Sequence, residues 1–441
     1  MPESSSPTLI RAIGRWSLAA LTINCIIGSG VFGLPSVIAC SLGNASPFAW
    51  LFAAGATGLV MACFAEVSSR FDQSGGVYLY SRAAFGRTTG ITVAWFGLLA
   101  RFTAIGANAN LFVIYLAEFW PKANLLVSRA AVLLALFGFL TWANYIGVRS
   151  GTLLSNLFTA VKLITLLGFI AGGVCFLALN HHALALAAPA GPANKWLHSI
   201  LLLMFAYGGY ETALMPAAEA KDPRRDYPFA LLVALLSCAF VYIATQWIVI
   251  SVVPVTSISN RPIASAVQAM VGPSGAGVVS IAILFATYGY LSANILGFPR
   301  ILFALAERGD VPAIMAKVHA RFRTPHVAIV VLAACSLIFS LMGSFQWNVT
   351  ISAMSRLIYY GSVCAALPVL RHKKEVSEAA FRLPAGNIIA VLALGVSLLL
   401  FPELDRTGVF VLAIVALCIA ANSVWAAKNG RAVSGHAEVG K

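Results

Sequence analysis

Apolar residues run in blocks of about 20 along most of this chain, and polar residues collect in the short gaps between them. Twelve blocks can be placed, at approximately 16–40, 46–68, 89–118, 128–147, 152–179, 197–218, 228–253, 275–303, 325–343, 350–370, 386–402 and 407–427. A block of that length spans the bilayer core as a helix. The third is unusually long, and the eleventh is short and ends at Pro402. The pattern predicts an all-α integral membrane protein of twelve transmembrane helices. The spacing divides the chain into a short tail (1–10), a core of ten helices (11–370), helices 11 and 12 (371–428) and a second short tail (429–441).

Two blocks are interrupted. The first contains "NCIIGSGVFGLP" (24–35), and the sixth contains "FAYGGYE" (205–211). A glycine inside a helix costs about 1 kcal/mol against alanine. Backbone opened inside lipid is tolerated only where it lines a cavity or is buried in protein. The interruptions lie five spans apart. Broken helices at matching positions of two halves point to an inverted repeat with its site near the membrane midplane. Five is odd, so the second half runs with the opposite topology and the last two spans lie outside the repeat.

Composition agrees: 60% of the 441 residues are hydrophobic, against 10% charged, where soluble domains carry about 25% charged. The net charge of +14 would suit a nucleic-acid binder, but the basic residues sit in short runs between spans. With the N-terminus cytoplasmic, 21 Lys and Arg fall in inner segments and 5 in outer ones, leaving Arg101, Lys162 and Arg356 of the 29 inside spans. That bias predicts both termini inside, and the compact loops point to a bacterial inner membrane. Met1 to Ile10 are too polar, and the first block too long, for a cleavable signal peptide. The eight Cys fall in apolar stretches without metal spacing and read as packing residues. The seven His show no ligand spacing beyond His181-His182, so neither a metal nor a cofactor is expected.

A half-helix that begins after Gly30 aims free N–H groups and its positive dipole end into the cavity, which suits a carboxylate. The carbonyls of Ile26 and Ile27, unpaired before the break, suit an ammonium. Backbone alone would then clamp a zwitterion. The plainer alternative is that small residues merely let helices pack closely.

Four motifs carry a family resemblance: "INCIIGSGVFGLP", "FAEVSSRFDQSGGVYLYSRAAFG" (64–86), "FAYGGYETALMPAAEAKDPRRDYPFAL" (205–231) and "FPRILFALAERGDVPAIMAKVHARFRTPHVAI" (298–329). Together, from about residue 12 to 370, they resemble the amino acid–polyamine–organocation transporters. The resemblance implies a leucine-transporter-like fold with a 5+5 inverted repeat, alternating access and a site between spans 1, 3, 6 and 8. It implies that a substrate carboxylate meets Ser29 and Gly30. The ammonium would meet the carbonyls of Ile26, Phe205, Ala206 and Gly208. Phe205 takes the place of the family's aromatic lid, and Asn294 matches a side-chain-pocket position.

Charges inside the membrane are expensive and usually functional. Lys162 sits about ten residues into span 5. Relatives with a lysine here look sodium-independent, the amine occupying the room of a sodium ion. Lys162 either takes a coupling proton or acts as a fixed charge in an exchanger, unless it simply snorkels. Glu211 reads equally as part of a gate or proton path and as a hydrogen-bond acceptor for the broken helix. Arg101 needs a carboxylate or several carbonyls, in a pairing with Glu211 or in recognising an acidic side chain. Asn108 and Asn110 follow on span 3, where either could contact a substrate side chain. Arg356 has no assigned partner. Glu66 and Glu219 are expected to pair with the inner basic loops.

The expected function is proton-coupled, sodium-independent transport of neutral amino acids. Exchange of amino acids, or of an amino acid for a polyamine, is the alternative. The expected partners are the amino acid, protons, the lipid bilayer and a second copy of the chain in a homodimer, and no nucleic acid. A non-transporting amino-acid sensor would need a signalling tail. A membrane enzyme would need a cluster of His, Asp or Glu at one face. Neither is evident.

Overall fold

The computed structural model describes residues 14–71, 75–147, 152–180, 191–214, 221–373, 376–401 and 408–422, without the side chains of 152–156, 223–224 and 256. Both expected tails, Glu219 and the His181-His182 pair lie outside them. The described residues form helices and loops and no strand.

The first span is broken into α1 (Arg15–Ile26) and α2 (Gly30–Leu42), and the sixth into α8 (Ala193–Ala206) and α9 (Tyr210–Ala213). Between the breaks lie α3 (Ser46–Ser68), the short α4 (Gly76–Phe85), α5 (Arg87–Leu116), α6 (Leu126–Tyr145) and α7 (Thr152–Leu179). The second half continues with α10 (Pro223–Val252), the short α11 (Pro262–Val271), α12 (Pro273–Gly297), α13 (Pro299–Glu307), α14 (His326–Met342) and α15 (Phe345–His372). Then come α16 (Gly386–Leu400) and α17 (Gly408–Asn422). Among the described residues, seven helical stretches are long and apolar enough on their own to cross a membrane. At 15 residues, α16 reaches only about 22 Å.

The eighth block, placed at 275–303, is interrupted at Phe298, where Pro299 begins α13. Proline has no N–H to continue the ladder and is favoured in a first helical turn. The two halves interlock: α5 packs along α15, α3 and α1 along α10, and α12 against α5 and α7. α5 and α15 are mostly buried, whereas α6 shows Leu126, Val127, Leu134, Phe139 and Trp142 outward, a lipid-facing surface.

Glycines make the breaks fit. Gly209 takes φ +115°, and a Cβ there would lie 2.3 Å from the Cys25 carbonyl oxygen, so the second break seats directly on the end of α1. A Cβ on Gly30 would lie 2.6 Å from the Ala206 Cβ. The half-helices α2 and α8 therefore close against each other backbone to backbone.

Candidate functional site

Around the two breaks lies a cavity of ≈ 10 Å³, lined by Gly28, Gly30, Asn108, Phe205, Gly208, Tyr290 and Arg356 among others. Beside it lies a vestibule of ≈ 700 Å³, bounded by Asn24 of α1, Lys162 of α7, Asn294 of α12 and Arg300 of α13. Cys25 and Tyr290 line both. Beyond Gly30 the helices are tied together by side-chain bonds. The Gln246 amide donates to Pro35 O (3.2 Å) and Ser46 Oγ (2.9 Å) while its oxygen accepts from Trp50 Nε1 (2.8 Å), which ties α2, α3 and α10 together.

Ile26, Ser29, Gly30, Phe205, Ala206, Gly208 and Asn108 come together at the breaks, and Asn294 faces the vestibule. Among the described residues, Ser29 Oγ is buried with no partner, and so is Asn108 Oδ1. Gly30 and Val31 open α2, and the first N–H groups of a helix have no acceptor within it. Ile27 differs from expectation. Its carbonyl accepts from Lys162 Nζ at 2.7 Å, so a substrate ammonium would share that oxygen with an ammonium already bound.

Lys162 Nζ also donates to Asn24 O (2.9 Å) and Asn24 Oδ1 (2.6 Å). Its three protons thus have three acceptors, all at the end of α1 where helix carbonyls lose their partners. The side chain points inward, not toward a lipid interface.

Glu211 is buried and takes five donors. Oε1 accepts from Arg101 Nη2 (3.0 Å), Arg356 Nη1 (2.7 Å) and Tyr359 OH (2.9 Å); Oε2 accepts from Tyr360 OH and Gly209 N–H, both at 2.9 Å. Arg101 also donates to the Thr212 hydroxyl and lies 4.4 Å over the Phe298 ring. Of the two readings for Arg101, the pairing with Glu211 is the one seen. Arg356, which had no assigned partner, completes a brace linking α5, α9 and α15. A Cβ on Gly208 would come within 2.3 Å of Arg356 Nη1, so that glycine lets the guanidinium lie flat on the second break.

Asn110 takes no part. Its amide donates to Gly343 O (3.0 Å) and its oxygen accepts from Arg129 (2.8 Å), which counted with the outer loops but lies in α6. Glu66 pairs with Arg371 (2.6 Å) and Arg70 (3.3 Å) and accepts from Leu383 N–H (2.9 Å), pinning α3 to α15 at one end of the bundle. A second knot there joins Asp310 to Arg87 (2.9 Å) and to the Tyr78 hydroxyl. Burial first, and then the Asp310 contact, raise the Tyr78 phenol above its ordinary value, so at neutral pH it stays protonated and donating.

Tyr242 was not legible in advance. Its hydroxyl bridges Ile26 O (3.2 Å) and Ala206 O (3.1 Å), one carbonyl from each broken helix. It is one of 12 tyrosines, with no local signal to single it out. Arg356, Tyr359 and Tyr360 did carry one: polar groups at i, i+3 and i+4 on an apolar helix share a face. Tyr242→Phe is expected to lower substrate affinity about fivefold with the fold kept, since a buried hydrogen bond contributes about 1 kcal/mol and the one hydroxyl proton is shared between the two carbonyls. Binding isotherms beside melting curves check this.

Two discontinuous helices meeting at a cavity, with buried charges fastening the halves together, define a membrane transporter of leucine-transporter-like fold. In a comparison of structures, MhsT in complex with L-phenylalanine superposes with a TM-score of 0.59 at 16% identity, over 90% of this chain and 100% of that one. The chain belongs to the amino acid permease family, whose sequence model matches residues 13–427. Three relatives from Bacillus subtilis (strain 168) are similar over most of their length. The serine/threonine exchanger SteT is 27% identical, over 88% of this chain and 89% of its own. The branched-chain amino acid permease BcaP is 26% identical, over 89% and 87%. The methylthioribose transporter is 25% identical, over 90% and 89%. The protein is a multi-pass membrane amino acid transporter, not an enzyme.

Proposed function

We propose that this chain carries neutral amino acids by alternating access without sodium, with Lys162 as the resident cation. The observation that carries this is the ammonium held by three oxygens at the end of α1. A monovalent cation coupled to transport would seek those same oxygens, and here a side chain fills the place. The amino-acid carboxylate meets Ser29 and the first N–H groups of α2, and its ammonium meets the Ile26 and Ala206 carbonyls. A cationic substrate finds no free acid there, because Glu211 is already saturated and flanked by two arginines.

The vestibule is lined by Leu21 and Asn24 on the N-terminal side of the first break and by Arg300 at the start of α13, which precedes a basic loop. With both tails cytoplasmic, in a bacterial inner membrane, this is the inward-facing form. Proton symport is the first reading of the coupling. Exchange is the second, favoured by one observation: all three Lys162 protons are already engaged, as in a fixed charge.

Uptake of a labelled amino-acid panel into proteoliposomes tests the proposal. Neutral amino acids should accumulate in sodium-free buffer when an inward proton gradient is applied. Uptake only into vesicles preloaded with amino acid, whatever the gradient, establishes exchange. Uptake of polyamines but not of zwitterions would sink the substrate assignment.

A further inference from the structure

We propose that the site selects small β-hydroxy amino acids, with Asn108 and Arg356 as the residues that read the hydroxyl. This rests on the reading of the breaks as the amino-acid site and names the side chain accepted there. Arg356 is 2% exposed and Asn108 1%. Among the described residues, Arg356 Nε is a donor without an acceptor, and Asn108 Oδ1 is an acceptor without a donor. Neighbouring atoms of the same side chains are engaged, Arg356 Nη1 with Glu211 and Tyr360, and Asn108 Nδ2 with Ala104 O. Both residues line the ≈ 10 Å³ cavity, together with the glycines of the clamp.

A space of that size has room for at least a water-sized group. A hydroxyl fits it and answers both orphans at once, accepting from Nε and donating to Oδ1. A methyl group would leave both unmet. A carboxylate has no proton to give Oδ1, and an ammonium would meet the guanidinium. The rest of the amino acid needs room that Tyr290 occupies: its ring lies 3.6 Å from where a Cβ on Gly28 would stand. Tyr290 also borders the vestibule, so it must turn that way to admit substrate.

The test uses near-isosteric pairs on the purified full-length protein: serine against alanine, and threonine against valine, in equilibrium binding. Serine and threonine should each bind at least about tenfold tighter than their partner, because a site built around a substrate hydroxyl discriminates strongly against its absence. In Asn108→Leu the serine/alanine ratio should fall to about one, and a ratio is insensitive to lost protein or general damage. Equal affinity of wild type for serine and alanine overturns the inference while leaving amino-acid transport intact. Failure of every amino acid to bind overturns the function reading as well. An unchanged ratio in Asn108→Leu removes that residue from the assignment. The wild-type comparison decides even where the variant does not fold.

Discussion

Replacing Glu211 by glutamine is expected to remove most folded protein from the membrane. The carboxylate is nearly isosteric with the carboxamide, so packing is kept and only charge changes. What remains is Arg101 and Arg356, 6% and 2% exposed, facing each other without a counter-ion. Breaking a buried ion pair by removing one partner costs about 3–5 kcal/mol, because the other charge is left uncompensated. The same change turns two acceptors into one acceptor and one donor, so Tyr360 or the Gly209 N–H also loses its bond. Melting temperature in detergent, with the yield of monodisperse protein, checks the prediction. Adding Arg356→Met to Glu211→Gln should recover part of the loss, since one of the two stranded charges is gone. The result also separates the two readings of Glu211. A proton carrier exchanged for glutamine would stay folded and lose only its response to a gradient; a brace would lose its fold.

Lys162→Met is expected to do the reverse, keeping the fold and losing transport. Its ammonium donates to Asn24 O, Asn24 Oδ1 and Ile27 O, and hydrogen bonds to a charged group contribute about 1.5–3 kcal/mol each. Lys162 borders a vestibule of ≈ 700 Å³, so water can reach the three oxygens and restore much of that energy. Water does not restore the fixed geometry at the end of α1, one residue from the clamp. Initial uptake should fall at least about tenfold, while the melting temperature moves by only a few degrees. Two assays on the variant then assign the residue. Loss of gradient-driven accumulation with exchange retained identifies Lys162 as the proton carrier; loss of both identifies a structural charge.

The amino-acid sequence by itself determined the membrane class, the two breaks and the short roster of buried charges. Each of these is a local violation of a strong rule. Gly28, Gly30, Gly208 and Gly209 weaken helices that lipid would otherwise enforce, and Lys162, Arg101, Glu211 and Arg356 stand where hydrocarbon penalises charge. Such signals survive without knowledge of the fold because the bilayer supplies the context. Only the tertiary structure decided who meets whom. Arg101 and Arg356 reach Glu211 across 110 and 145 residues of chain, and the inverted repeat brings them to one point. Ile27 and Asn110 show the same limit from the other side. Each belongs to a residue type and a span that suit substrate, yet Lys162 and Arg129 take the atoms concerned. Tyr242 joins the two broken helices through one hydroxyl, and nothing near it in the chain marks it. A hydrogen bond is settled within a few tenths of an ångström between distant segments, and spacing along the chain carries no record of that distance.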